Sequence, residues 1–193
     1  MMRNWSSHLR GPPTSNRIGR HKVHVSAHRR APIQIRIHGP MTSKYLTIGA
    51  TGAIGHAFAS ALQDAGLHAT LLVRDRRKAI ALFGNTNGFT IVEGDVNDTA
   101  LLHSIAEGVD FIFHGANASH EHWAKAMPVM TRNVINAAEH SRAPVIFPGN
   151  NYNFGQTEQP ISEITPFNPS VPLGKVRVDL EKMLQRAADQ DGE

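Results

Sequence analysis

Three glycines at a constant interval, Gly49-Ala50-Thr51-Gly52-Ala53-Ile54-Gly55, constrain this chain more than any other feature in it. The residues just before them, Lys44–Ile48, form a short strand-like run. Just after them Ile54, Ala57, Phe58, Ala61, Leu62 and Ala65 recur at helical spacing until Gly66 supplies a stop. A strand that passes through glycines straight into a helix has few conformations open to it. Gly49 permits the tight turn, Gly52 lets the backbone approach a bulky anion, and Gly55 allows close packing of helix on sheet. The free N–H groups at the helix start then face phosphate charge. The segment reads as a pyrophosphate-binding turn of a dinucleotide site. A tight turn with no ligand is the alternative, and the strand–turn–helix context favours the first reading.

Strand and helix alternate from there on. Ala69–Val73, Phe89–Val92, Asp110–Phe113 and Val145–Phe147 read as strands, and Arg76–Leu82 as a short helix. Asp98 is placed to cap a helix carrying Leu101, Leu102, Ile105 and Ala106, which Gly108 ends. A longer helix runs through Met127, Met130, Val134 and Ala138. The strands are near-continuous apolar runs, as strands buried on both faces are. The pattern predicts an α/β fold, a Rossmann-like doubly wound parallel sheet in three layers. Residues 149–172 hold four prolines and three clustered asparagines, Asn150, Asn151 and Asn153, and read as a long loop. A last helix is expected from about Leu173 to Ala188, with Val176, Leu180, Met183, Leu184 and Ala187 inward.

Charge divides the chain in two. Residues 1–40 carry eight Lys or Arg and no acid, whereas the remaining 153 carry 12 basic and 16 acidic residues. The first segment is too poor in large apolar residues to build a core and reads as a basic, disordered tail. It could instead be a mis-assigned start ahead of Met41, an acid-free transit leader, or an arm for nucleic acid or anionic lipid. Its only apolar alternation is Ile33, Ile35, Ile37. Residues 41–193 form the expected domain. There is no cysteine among the 193 residues, which excludes disulfides, thiolate metal sites and a cysteine nucleophile. No apolar run is long enough to cross a membrane, and no secretory h-region is present, so a cytoplasmic location is expected. His120 and His122 invite a metal reading, but side chains two apart on a helix point away from each other. A solvated helix start is expected there and no metal site. His114 reads as a satisfied near-core histidine.

Several segments together bring a family into view. The glycine spacing, Gly94-Asp95-Val96 after the third strand, Phe113-His114-Gly115-Ala116-Asn117 after the fourth, Thr131–Ala138 and Ile161-Ser162-Glu163 with Thr165-Pro166 resemble the extended short-chain dehydrogenase/reductases, the NAD-dependent epimerase/dehydratase family. The resemblance covers about residues 44–188. It implies that Gly49, Thr51, Gly52, Ala53, Ile54 and Gly55 hold the pyrophosphate, that Asp95 and Val96 meet the adenine, and that Gly115, Ala116 and Asn117 line the cofactor. Members continue with a further strand and a smaller substrate lobe, so that lobe is expected to be missing or truncated here.

Arg74 ends the second strand 19 residues after Gly55, where sites that prefer NAD place an acid. Its guanidinium suits a 2′-phosphate, and Arg76, Arg77 and Lys78 add positive charge. NADP is therefore the expected cofactor, NAD the alternative, with Asp75 the rival ribose contact. The family's Ser or Thr, Tyr and Lys are replaced: Asn150, Leu173 and Arg177 fall at those positions. Leu cannot transfer a proton. Tyr152 could supply a phenol, Asn150 could bind a carbonyl, and Arg177 could hold ribose or phosphate. Lys175 stands only two residues from Leu173 and faces elsewhere. The expected function is an NAD(P)-dependent oxidoreductase or epimerase/dehydratase-type protein acting on a carbonyl or sugar-nucleotide-like substrate, with impaired catalysis. A non-catalytic NADP(H)-binding or sensing domain is the first alternative. Nucleic-acid binding through the basic tail is the second.

Overall fold

A computed structural model describes residues 44–84 and 88–190. The basic segment 1–40, with its Ile33–Ile37 alternation, lies outside the described residues. Five strands form one parallel sheet: β1 (Lys44–Ile48), β2 (His68–Val73), β3 (Phe89–Glu93), β4 (Phe111–His114) and β5 (Val145–Ile146). Their order is β3-β2-β1-β4-β5, with Ile48 level with Leu72 on one side and His114 on the other. The chain builds outward from β1 to β3, then returns to lay β4 against the free side of β1. That reversal opens a crevice at the carboxyl ends of β1 and β4.

Alternation along the strands decides which helix covers which face. Leu46, Ile48, Leu72 and Ile112 point to one side and pack with Leu102 and Ala106 of α3 (Thr99–Ala106) and Val134 and Ala137 of α4 (Trp123–Ser141). Ala69, Leu71, Val73 and Ile91 point to the other, against Ala59 and Leu62 of α1 (Ala53–Asp64) and Ala79 and Phe83 of α2 (Arg76–Phe83). The result is the expected three-layer, doubly wound arrangement. Asp98 caps α3 by accepting from the Leu101 N–H at 3.0 Å.

Two strand bounds are corrected, and one helix face is wider than expected. The fourth strand starts one residue late, because the Asp110 carboxylate turns back to accept from the Lys44 N–H at 2.7 Å. β5 stops at Ile146, one residue short. The last helix, α5 (Pro172–Gln190), turns the expected face inward, with Leu180 buried and Val176, Met183, Leu184 and Ala187 half-buried, and widens it with Gly174, Arg177 and Val178, which are buried as well. Leu180 packs against Trp123 and Met127 of α4, with Leu173 at the edge of that cluster.

Candidate functional site

The glycine turn does what its spacing demands. Gly49 adopts φ +81°, and a Cβ there would run into the Gly115 carbonyl. β1 and β4 can therefore come together only over a bare backbone. A Cβ at Gly55 would strike the Gly49 carbonyl, so the first turn of α1 sits directly on the end of β1. No side chain caps α1. Its first N–H groups, without intrahelical partners, are left for a ligand.

A cleft of about 170 Å³ lies in front of this turn. It is lined by Gly49, Thr51 and Gly52 of the turn, by Arg74 and Lys78 after β2, by Asp95 and Val96 after β3, and by Gly115, Ala116 and Asn117 after β4. Nine of the twelve residues expected to bind cofactor thus come together. Ala53 and Ile54 start α1 just behind them, and Gly55 serves the packing beneath. The sequence pattern did not assign Ile48, Leu72, Gly94 or Met130 to the cofactor, and these join the lining. Lys78 was legible only as one of several positive charges. Its partners in that run divide: Arg76 turns away to donate to the Ile91 carbonyl at 2.5 Å, while Arg74 and Lys78, four residues apart, share the cleft. Asp75 caps α2, its carboxylate accepting from the Lys78 N–H at 2.9 Å.

The substituted positions lie on the far side of Asn117. The Asn117 side-chain oxygen accepts from the Trp123 indole N–H at 2.6 Å. The Trp123 ring in turn faces Tyr152, with centroids 6.1 Å apart. Asn150 is engaged locally, its amide oxygen accepting from the Tyr152 N–H at 2.9 Å to cap a single 3₁₀ turn, Asn151–Asn153. Tyr152 is 38 % exposed, and its hydroxyl makes no hydrogen bond among the described residues. Arg177 is only 5 % exposed. Its Nε pairs with Glu181 at 3.0 Å, its Nη2 donates to the Pro148 carbonyl, and its plane lies 3.9 Å over the Phe147 ring. Burial pushes its pKa below the usual guanidinium value, and Glu181 opposes that shift.

His114 closes this inner wall. It is 1 % exposed, with Nε2 3.1 Å from the Thr131 hydroxyl and the ring stacked on Phe147. Burial, reinforced by the nearby Arg177 charge, lowers its pKa to about 4, so the ring is neutral at physiological pH. It lies near the core as expected, but among the described residues it is not fully satisfied: Nδ1 has no partner there. His120 and His122 diverge, one edge-on to Trp123 and the other hydrogen-bonded to Ser119. Among the described residues no three His, Asp or Glu are grouped to hold a metal. A larger hollow, about 870 Å³, lies elsewhere, between α4, β5 and α5. It borders the Glu181 side of the Arg177 pair and shares no lining residue with the cleft.

Comparison with known proteins agrees with this geometry. Residues 49–161, more than half of the chain, match a family described as NAD(P)H-binding. The chain belongs to that family, and its cofactor is a nicotinamide dinucleotide. No curated protein matches the sequence. Among solved structures it is similar to the UDP-Glc/GlcNAc 4-epimerase of Campylobacter jejuni, with 22 % identity and TM-score 0.66, over 78 % of this chain and 50 % of that one. It is similar to the Bordetella bronchiseptica enzyme WbmH in complex with NAD+, with 20 % identity and TM-score 0.62, over 75 % and 52 % of the two chains. It is also similar to the uronate dehydrogenase of Agrobacterium tumefaciens, with 18 % identity and TM-score 0.63, over 77 % and 56 %. These likenesses establish a shared fold. The chain spans about half the length of the structures it matches.

Proposed function

We propose that this chain is the cofactor-binding part of an NADP(H)-dependent oxidoreductase or epimerase that acts on a carbonyl or sugar-nucleotide-like substrate. One observation carries the reading: Arg74 and Lys78 border the same cleft as the uncapped start of α1. Two cations, Arg74 just past β2 and Lys78 in the first turn of α2, suit a phosphate on the ribose, and the start of α1 suits the pyrophosphate. Bound there, the dinucleotide supplies or accepts a hydride. The chain's own residues bind and orient it. Tyr152, from the same loop as Asn150, takes over as the proton donor or acceptor, since Leu173 packs against α4 and Arg177 is occupied by Glu181 and Pro148. Trp123 and Asn117 link that phenol to the cofactor wall.

Fluorescence titration with NADPH and NADH tests the cofactor. NADPH is expected to bind about tenfold or more tightly, and Arg74→Ala to erase most of that difference. Equal affinities, or an unchanged preference in Arg74→Ala, would refute NADP selectivity. A second reading, a non-catalytic NADP(H)-sensing domain, is favoured by Leu173 and by the internal engagement of Arg177. Turnover separates the two: reduction of an aldehyde or a UDP-sugar that Tyr152→Phe abolishes supports the enzyme, and tight binding without turnover supports the sensor.

A further inference from the structure

At one wall of the cleft Asn133, Asn97 and Asp95 form a relay of hydrogen bonds. Asn133, on α4, donates from Nδ2 to the Val96 carbonyl and to Asn97 Oδ1, both at 3.3 Å. An amide nitrogen carries two hydrogens and both are used. The flipped amide would set its oxygen against two others. Asn97 then donates from its backbone N–H and from Nδ2 to Asp95 Oδ1, both at 2.8 Å. All of this donation falls on one carboxylate oxygen. Oδ2 makes no hydrogen bond among the described residues, and Asp95 lines the cleft. An exposed carboxylate that could otherwise rotate is thus held with one acceptor to spare.

We propose that Asn133, acting through Asn97, is a positioning residue that aims this acceptor at an exocyclic amino group, and so sets a preference for a 6-aminopurine over a 6-oxopurine dinucleotide. This rests on the reading that the cleft takes the dinucleotide with its base against Asp95 and Val96. An amino group donates to the free oxygen. A carbonyl in the same place turns lone pairs toward a carboxylate and is repelled. Asp95 makes the contact, and Asn133 decides whether the carboxylate is oriented to make it. Chained donors also polarise one another, so the first link bears on the last.

The test is a titration of the full chain, Asn133→Leu, Asn97→Ala and the double variant with NADPH and with its hypoxanthine counterpart. The unmodified chain is expected to prefer the adenine form by about tenfold or more, and each single variant to narrow that preference about three- to tenfold. The double variant should do little more than either single one, because both act on the same oxygen. A loss of affinity shared equally by the two dinucleotides, leaving their ratio unchanged, would overturn the positioning role. Failure of the unmodified chain to bind either dinucleotide would overturn the cofactor reading itself. Asn97 is exposed, so its variant keeps the question open if Asn133→Leu does not fold.

Discussion

A guanidinium withdrawn from water, paired with Glu181, bonded to the Pro148 carbonyl and stacked on Phe147, has little left to offer a ligand. Arg177 acts here as a brace between α5 and the segment after β5. Arg177→Met should cost on the order of 1–3 kcal/mol, because a half-buried carboxylate and a carbonyl lose their donor. Arg177→Lys should recover only part of it, since one ammonium cannot reproduce the planar fork and the stacking. Denaturant midpoints of both variants measure this, and midpoints equal to the parent would return Arg177 to the pool of ligand-binding groups. His114 gives a pH dependence of definite sign. Its folded pKa of about 4 lies below the ordinary 6.5, so the fold favours the neutral ring. The contribution is complete above pH 6.5 and is lost as pH falls from there toward 4, amounting to about 3 kcal/mol at most. His114→Gln should remove this part of the acid destabilisation. An identical pH profile in the variant would show that the ring titrates normally.

The turn between β1 and α1 has its own test. Alanine is a better helix former than glycine by about 1 kcal/mol, so Gly55→Ala would stabilise α1 if space allowed. The Gly49 carbonyl stands in the way. We expect a lower melting temperature and a loss of NADPH affinity of about tenfold or more, since the helix start must move off the cleft. A raised melting temperature would contradict the close packing. Such local devices are legible in sequence because they act over a few residues: the glycines, the Asp98 cap and the charged end of β2 all carry their partners nearby. What was not legible joins distant positions. Nothing near Arg177 announces Pro148, 29 residues away. Nothing near Asn133 announces Val96 or Asn97. Arg177 was missing from the expected inward face of α5 for the same reason, since an arginine satisfied by a remote carbonyl does not look like a core residue.

Because the sheet reverses between β1 and β4, the ends of four strands that are distant in the chain supply one cleft. Thermal melting should therefore respond as a single unit to NADPH. At about 100 times its dissociation constant the dinucleotide should add about 2.7 kcal/mol, and NADH at the same concentration should add less. No shift with either would argue against a site in the folded chain. The reversal also dictates how the gain is distributed. A ligand that touches the segments near 49, 74, 95 and 115 links the two halves of the sheet. Amide exchange in those four stretches should slow together on adding NADPH, with one common concentration dependence, while the α4–α5 side responds less. The cofactor would then be a cross-strand fastener that makes the local openings of separate loops a single cooperative event.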